Sequence, residues 1–183
     1  VVIHAIVDGV DVPARTAAHY LSELEARLDS SVGRIGTVSG RAWAMDAEGR
    51  WERVEKLYRA IVAEDTKRAD SAHAGLQEAC MFGAPESFVE PFIVFDYPGV
   101  SLVDTAVCFN FGTCRSRALV NALAGPRFDK FSRSGGKAPF AGRLTCMTPY
   151  DATLGLPTAF PRAPDLSDLP FATLAAAKLS QLH

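Results

Sequence analysis

The chain predicts an α/β fold, a layered domain with a parallel or mixed sheet flanked by helices, and three observations carry that reading. Short runs rich in Val, Ile and Phe alternate with longer runs whose apolar residues recur at helical spacing. Gly and Pro punctuate the boundaries between them. Three apolar runs also lead into polar stretches that contain glycine: Asp8-Gly9-Val10-Asp11-Val12-Pro13, Ser39-Gly40-Arg41-Ala42-Trp43-Ala44-Met45-Asp46 and Phe109-Asn110-Phe111-Gly112-Thr113-Cys114-Arg115-Ser116-Arg117. In an open α/β sheet ligands sit at the carboxyl ends of strands. Asp11, Arg41 and Arg115 are therefore expected to line one cleft, with side-chain tips within about 10 Å of one another.

Residues 1–7 read as a buried strand. Thr16 is an expected N-cap, followed by Tyr20, Leu21, Leu24 and Leu28 at helical spacing. Residues 35–38 form a short strand that enters the Ser39-Gly40-Arg41 turn. Trp51, Val54, Leu57, Tyr58, Ile61 and Val62 mark a second amphipathic helix, with Glu52 and Lys56 spaced i,i+4 on its polar side. A third helix is expected over residues 69–82, ended by Gly83 and Pro85. Strands are expected at 92–95, 105–111 and 143–147, and a helix at 115–123 stopped by Gly125-Pro126. Residues 128–142, with Lys130, Arg133, Gly135, Gly136 and Lys137, read as an exposed, mobile loop. The run from Pro157 through Pro161 and Pro164 to Pro170 reads as a linker. Both ends look cut, as in a domain excised from a longer protein.

With 183 residues and 48% hydrophobic content, there is enough for one substantial core or two small ones. A net charge of −2 gives no reason to expect nucleic acid or a polybasic membrane contact. Cys80, Cys108, Cys114 and Cys146 include no CxxC pair, so neither metal-ligand spacing nor a disulfide framework is expected, and a reduced cytoplasmic compartment follows. No P-loop, GxGxxG or GxSxG is present.

Asp11 is able to hydrogen-bond a substrate hydroxyl or take its proton; the competing reading is an Asx-type turn residue before Pro13. Arg41 is placed to grip a carboxylate or phosphate, or to form an ordinary surface ion pair. Arg115 and Arg117 open a helix, where backbone N–H groups favour an anion, though such arginines are often merely solvated. His4, in an apolar strand, reads as a core histidine; His19, His73 and His183 show no ligand spacing. Cys114 at a helix start invites a lowered thiol pKa, but no base is evident and a structural role is expected. Trp43 and Trp51 read as packing residues.

Taken together, the motifs resemble the cofactor-independent phosphoglycerate mutase family. Its Ile/Val-His-Ala-Phe-x-Asp-Gly-Arg-Asp-x-Pro-Pro is matched by Ile3-His4-Ala5-Ile6-Val7-Asp8-Gly9-Val10-Asp11-Val12-Pro13. Its Gly-Arg-Tyr-Tyr-Ala-Met-Asp-Arg is matched by Gly40-Arg41-Ala42-Trp43-Ala44-Met45-Asp46-Ala47, and its Arg-Trp-x-Arg-Val-x-Lys-x-Tyr by Arg50-Trp51-Glu52-Arg53-Val54-Glu55-Lys56-Leu57-Tyr58. Its Phe-Asn-Phe-Arg-Ala-Asp-Arg-x-Arg is matched by the run from Phe109 to Arg117, and its Met-Thr-x-Tyr and Leu-Pro-Val-Ala-Phe-Pro by Met147-Thr148-Pro149-Tyr150 and Leu156-Pro157-Thr158-Ala159-Phe160-Pro161. Val10, Ala47 and Gly112 stand where the family has arginine, and Cys114 where it has aspartate.

The resemblance implies a substrate-binding domain over residues 1–156, truncated at its N-terminal side, with residues 157–183 leading back toward a missing metal-binding domain. That missing domain would resemble alkaline phosphatase, hold two divalent metals (manganese expected) and carry the phosphorylated serine, so no metal or cofactor is expected in this chain. The full protein would be a cytoplasmic glycolytic isomerase interconverting 3-phosphoglycerate and 2-phosphoglycerate. Asp11 would contact the substrate hydroxyl or shuttle its proton, and Arg41 and Arg115, with Arg50 and Arg117 as further candidates, would bind the small phosphorylated acid. The alternatives are a paralogue acting on another phosphate or phosphonate ester, which the three lost arginines favour, and a non-catalytic binding domain.

Overall fold

Short apolar runs build two adjacent parallel strands at the N-terminal end of the chain. β1 (Val2–Val7) is followed by α1 (Ala17–Leu28) and then by β2 (Arg34–Gly40), which pairs with β1 in parallel. A computed structural model describes residues 1–28, 32–81, 83–101, 103–160 and 169–180. The next elements are a single helical turn, α2 (Arg41–Ala44), then α3 (Trp51–Ile61), β3 (Arg68–Ala69), α4 (Ala72–Met81) and β4 (Phe92–Val94). They are followed by β5 (Ala106–Cys108), α5 (Thr113–Ala124), β6 (Leu144–Cys146) and α6 (Pro170–Ala176). The four-stranded sheet runs β1-β2-β4-β3 and is mixed, because β4 is antiparallel to β2 while the other neighbours are parallel. The expected α/β class, with a mixed sheet flanked by helices, is what the structure has.

β2 is the central strand, and every residue in it except Arg34 is buried. Its register against β1 slips between Ile3 and His4, which leaves Gly36 without a partner. That bulge lets Ile35 and Val38, three residues apart, reach the same core with Leu21 of α1 and Leu76 of α4. A Cβ at Gly36 would lie 2.6 Å from Val2 Cγ1 and 3.2 Å from the Tyr97 ring, so a larger residue in the bulge would displace these side chains. On the other side of β4, Ile93 packs with Ala60 of α3 and with Tyr97. A second core joins α3, α5 and the small parallel sheet β5–β6 through Leu57, Tyr58, Val120, Leu123 and Leu144. Thr158 adds a bridge to Cys146 at the edge of that sheet.

Several boundaries differ from the sequence reading for local reasons. The strand before α4 was hidden because Ala69 fits a helical pattern; its carbonyl instead accepts from Phe95 N, and the helix starts only after Ser71, whose Oγ accepts from Ala74 N. The strands expected at 105–111 and 143–147 shorten to three residues each. Lys56 reaches Glu90 (2.8 Å) rather than Glu52. Thr16 stands at the N-cap position of α1, but its hydroxyl donates to Pro13 O, and Glu86 Oε1 accepts from Ala17 N (3.0 Å) in its place. The 128–142 loop is anchored by its aromatic residues. Phe140 is buried, Phe128 and Phe131 pack on Trp51 and Tyr58, and Arg133 donates to the carbonyls of Asn121 and Ala122 at the end of α5. Trp51 packs on the core as expected. Phe82, Pro161, Pro164 and residues 181–183, including His183, lie outside the described residues.

His4 is a core histidine: its Nδ1 lies 2.9 Å from Thr37 Oγ1 and its ring meets Tyr97 edge-on. Burial pushes its pKa down from 6.5 to about 4. The unfolded chain takes up that proton near 6.5 and the folded chain only near 4, so this contribution to stability is full above pH 6.5 and declines as the pH falls toward 4. His4→Gln is expected to flatten urea-midpoint profiles across that window; a profile with the wild-type slope contradicts the assignment. Gly40 lies against another segment, where an added Cβ would sit 2.4 Å from Ser87 O. Gly40→Ala should lower stability by about 1–3 kcal/mol in urea unfolding, and an unchanged midpoint would show that this contact yields freely.

Candidate functional site

Parallel pairing of β1 and β2 sets Val7 opposite Gly40, so the residues that follow each strand emerge side by side. After β1 the chain turns at Gly9 (φ 66°), and the Asp8 carboxylate accepts from the amides of Val10 (3.3 Å) and Asp11 (3.1 Å). Asp8 is therefore the Asx-turn residue, a role that sequence reasoning weighed for Asp11. The Asp11 carboxylate is left for a different partner. Arg41, buried at the start of α2, places Nη1 2.5 Å from Asp8 Oδ1 and 2.7 Å from Asp11 Oδ2.

One guanidinium nitrogen thus clamps two carboxylates. Burial works to raise the Asp8 carboxyl, but the hydrogen bond and charge of Arg41 and the two backbone amides outweigh it and hold Asp8 below its usual value. Burial likewise opposes the charge on Arg41, and the two carboxylates reverse that and raise its pKa. The pair stays ionised, and Arg41 Nη1 is fully engaged.

Arg41 forms part of the wall of a cleft of about 430 Å³, large enough for a small phosphorylated acid. Arg50, Arg53 and Arg115 line the same cleft, as do Val10 and Ala47. Buried Asp46 orients Arg50: it accepts from Arg50 Nε and from the Arg50 amide, both at 2.8 Å, while Glu48 takes Arg50 Nη2 at 2.9 Å. Burial would raise the Asp46 carboxyl, and the Arg50 amide and guanidinium hold it below its ordinary value. A separate cavity of about 60 Å³ between Val120, Tyr150 and Leu156 is too small for such a ligand.

Arg115 reaches the cleft from the first turn of α5, which has no side-chain cap at Gly112. Arg117, two residues on, turns away and pairs with Asp151 (3.2 Å). Cys114 is exposed. Asp11 is not part of the cleft wall; its exposed carboxylate is tied to that wall through Arg41 Nη1. Trp43, expected to pack, donates from Nε1 to Phe88 O and carries Lys56 over its ring at 4.9 Å.

Sequence reasoning missed Arg53, Ser87 and Phe88 as cleft residues. Arg53 was legible in principle, because it lies in the first turn of α3, three residues after Arg50 at the entry to that helix. Ser87 and Phe88 were not, because they are brought in by a connection that packs under Gly40. Among the described residues, no three His, Cys, Asp or Glu side chains gather as a metal-binding group, and no helix is long and apolar enough to cross a membrane.

The family described as BPG-independent PGAM N-terminus matches residues 1–152. A 2,3-bisphosphoglycerate-independent phosphoglycerate mutase of Syntrophotalea carbinolica is 42% identical over 164 residues, covering 88% of this chain and 32% of the relative. One from Symbiobacterium thermophilum is 39% identical over 187 residues, covering 100% of this chain and 35% of the relative. A crystal structure of Leishmania mexicana phosphoglycerate mutase at low cobalt concentration superposes with a TM-score of 0.75 at 27% identity, over 97% of this chain and 34% of that one. The chain therefore spans about a third of the length of the relatives it matches. It belongs to the family of the N-terminal domain of 2,3-bisphosphoglycerate-independent phosphoglycerate mutases.

Proposed function

We propose that the cleft at the ends of β1 and β2 is the substrate site of a phosphoglycerate mutase, and that residues 1–156 act as its substrate-binding domain. The observation that supports this is the shared wall: Arg41 and Arg115, far apart in sequence, line one cleft, with Asp11 hydrogen-bonded to Arg41. Arg41, through the nitrogens that Asp8 and Asp11 leave free, and Arg115 hold the carboxylate and phosphate of the glycerate. Arg50 adds positive potential. Asp11, exposed and kept close by Arg41, takes a hydrogen bond from the substrate hydroxyl and holds its proton. Arg117 stands outside this wall and its place is the Asp151 ion pair.

In this reading phosphoryl transfer between the 2- and 3-oxygens falls to the length of the relatives that this chain does not span. There, two divalent metals, manganese in this reading, supply the electrophilic chemistry of an alkaline-phosphatase-like domain. Residues 157–183 link the two parts, and hinge closure brings them together over the ligand. The setting is cytoplasmic glycolysis.

A second reading rests on Val10 and Ala47, which line the cleft where the family has arginine. A charged hydrogen bond is worth roughly 1.5–3 kcal/mol, and losing two here, with a third at Gly112, favours a phosphate or phosphonate ester with fewer negative charges. A domain that binds without catalysis is the limit of that trend.

Arg115 is exposed and unpaired among the described residues, so Arg115→Ala should leave the thermal midpoint unchanged. The same variant should weaken 3-phosphoglycerate binding by about 1.5–3 kcal/mol in calorimetry; unaltered binding removes Arg115 from the site. A chimera that carries this chain in place of the matching third of the Symbiobacterium relative, assayed with manganese, separates the two readings. Turnover of 3-phosphoglycerate near the level of the relative supports the mutase, and loss of turnover with retained binding of other phosphate esters supports the paralogue.

A further inference from the structure

The four guanidinium groups of the cleft are not electrically equivalent. Arg41 has two carboxylates on one nitrogen, and Arg50 has Asp46 and Glu48. Both are neutralised or nearly so before any ligand arrives. Among the described residues, Arg53 and Arg115 have no carboxylate partner. Glu90, the acidic residue after Val89 on the connection that carries Phe88, is taken by Lys56.

Arg53 is held by aromatic rings instead. Its guanidinium carbon lies 5.7 Å from the Phe88 ring centroid and 6.0 Å from that of Trp43. A ring attracts a cation through its face and uses none of the N–H donors. The Trp43 ring is fixed in turn by its Nε1 bond to Phe88 O (3.1 Å), and Lys56 occupies its surface at 4.9 Å. Arg53 is thus positioned by contacts that leave its donor fork free, in a wall of the cleft that also contains Arg115.

We propose that Arg53 is an anion-binding residue of this cleft, and that with Arg115 it carries the uncompensated positive charge that receives the phosphoryl or phosphonyl oxyanion of the ligand. Two uncompensated cations match one dianionic tetrahedral group. The ligand class that follows is a phosphate monoester or phosphonate, which includes the phosphorylated acid of the first reading and the less charged ester that Val10 and Ala47 would favour in the second. The inference rests on the cleft being the substrate site, and goes beyond it by naming which charges the ligand meets.

The test is calorimetric titration of the 183-residue chain with inorganic phosphate and with 3-phosphoglycerate. Arg53→Gln should weaken binding of both by about tenfold or more. Arg53→Lys should recover only part of that loss, because a point charge lacks the bidentate fork. Lys56→Gln, which shares the Trp43 ring but is paired with Glu90, should bind within about twofold of wild type. In the wild-type chain the Trp43 indole N–H resonance should shift as phosphate saturates, which gives a readout independent of how well the variants fold. Unchanged phosphate affinity in Arg53→Gln, or a stationary Trp43 resonance at saturation, overturns the role of Arg53 and leaves the cleft in place if Arg115→Ala still weakens binding. Failure of the wild-type chain to bind either anion overturns both.

Discussion

Everything at the site depends on one buried cation held between two carboxylates. Arg41 Nη1 joins Asp8 and Asp11 at the point where two parallel strands end. Neither half is favourable alone: an unpaired Arg41 would be a buried charge without compensation, and the Asp8–Asp11 turn would bring two like charges together. Held together, they convert a flexible glycine turn into a fixed wall. The backbone cooperates, because Gly9 adopts a positive φ and the Asp8 carboxylate gathers two amides, so the loop arrives with its geometry set.

A second layer of constraint lies beneath. Glu86 is buried, caps α1 through Ala17 N and sits against Gly9. The next residue, Ser87, presses its carbonyl toward Gly40. The connection from residue 86 to 89 therefore touches both strand ends that supply the acidic and basic residues, and it also delivers Phe88 to Arg53. A change in this connection would move the loop, the helix start and the cation together. The second core, under α3 and α5, serves a separate purpose: it sets Arg53 and Arg115 on helices that share one packed interior, with Arg50 at the entry to α3.

Much of this was legible in the residues. The α/β class, the strands that carry Val2–Val7 and Arg34–Gly40, the helices at Ala17–Leu28 and Trp51–Ile61 and the core position of His4 all follow from apolar runs and helical spacing that tertiary packing did not override. Arg41 and Arg115 could be singled out because each lies next to a glycine-bearing turn after an apolar run. What was hidden is non-local. Nothing in Asp8-Gly9-Val10-Asp11 reveals which aspartate makes the turn and which meets Arg41, since that depends on the β1–β2 register. The two-residue strand Arg68–Ala69 exists only because β4 is beside it. The aromatic anchors of the 128–142 loop look like surface residues until Trp51 and Tyr58 are seen facing them. The neutralisation that separates Arg50 from Arg53 depends on Asp46 being buried, which spacing cannot tell.

The central claim is that this wall of cations receives a phosphorylated acid. A crystal structure of the chain grown in saturating 3-phosphoglycerate tests it most directly. The account predicts the phosphoryl group within hydrogen-bonding distance of Arg115 and Arg53, and the hydroxyl turned toward Asp11. Ligand bound elsewhere on the surface while this cleft stays vacant would contradict it.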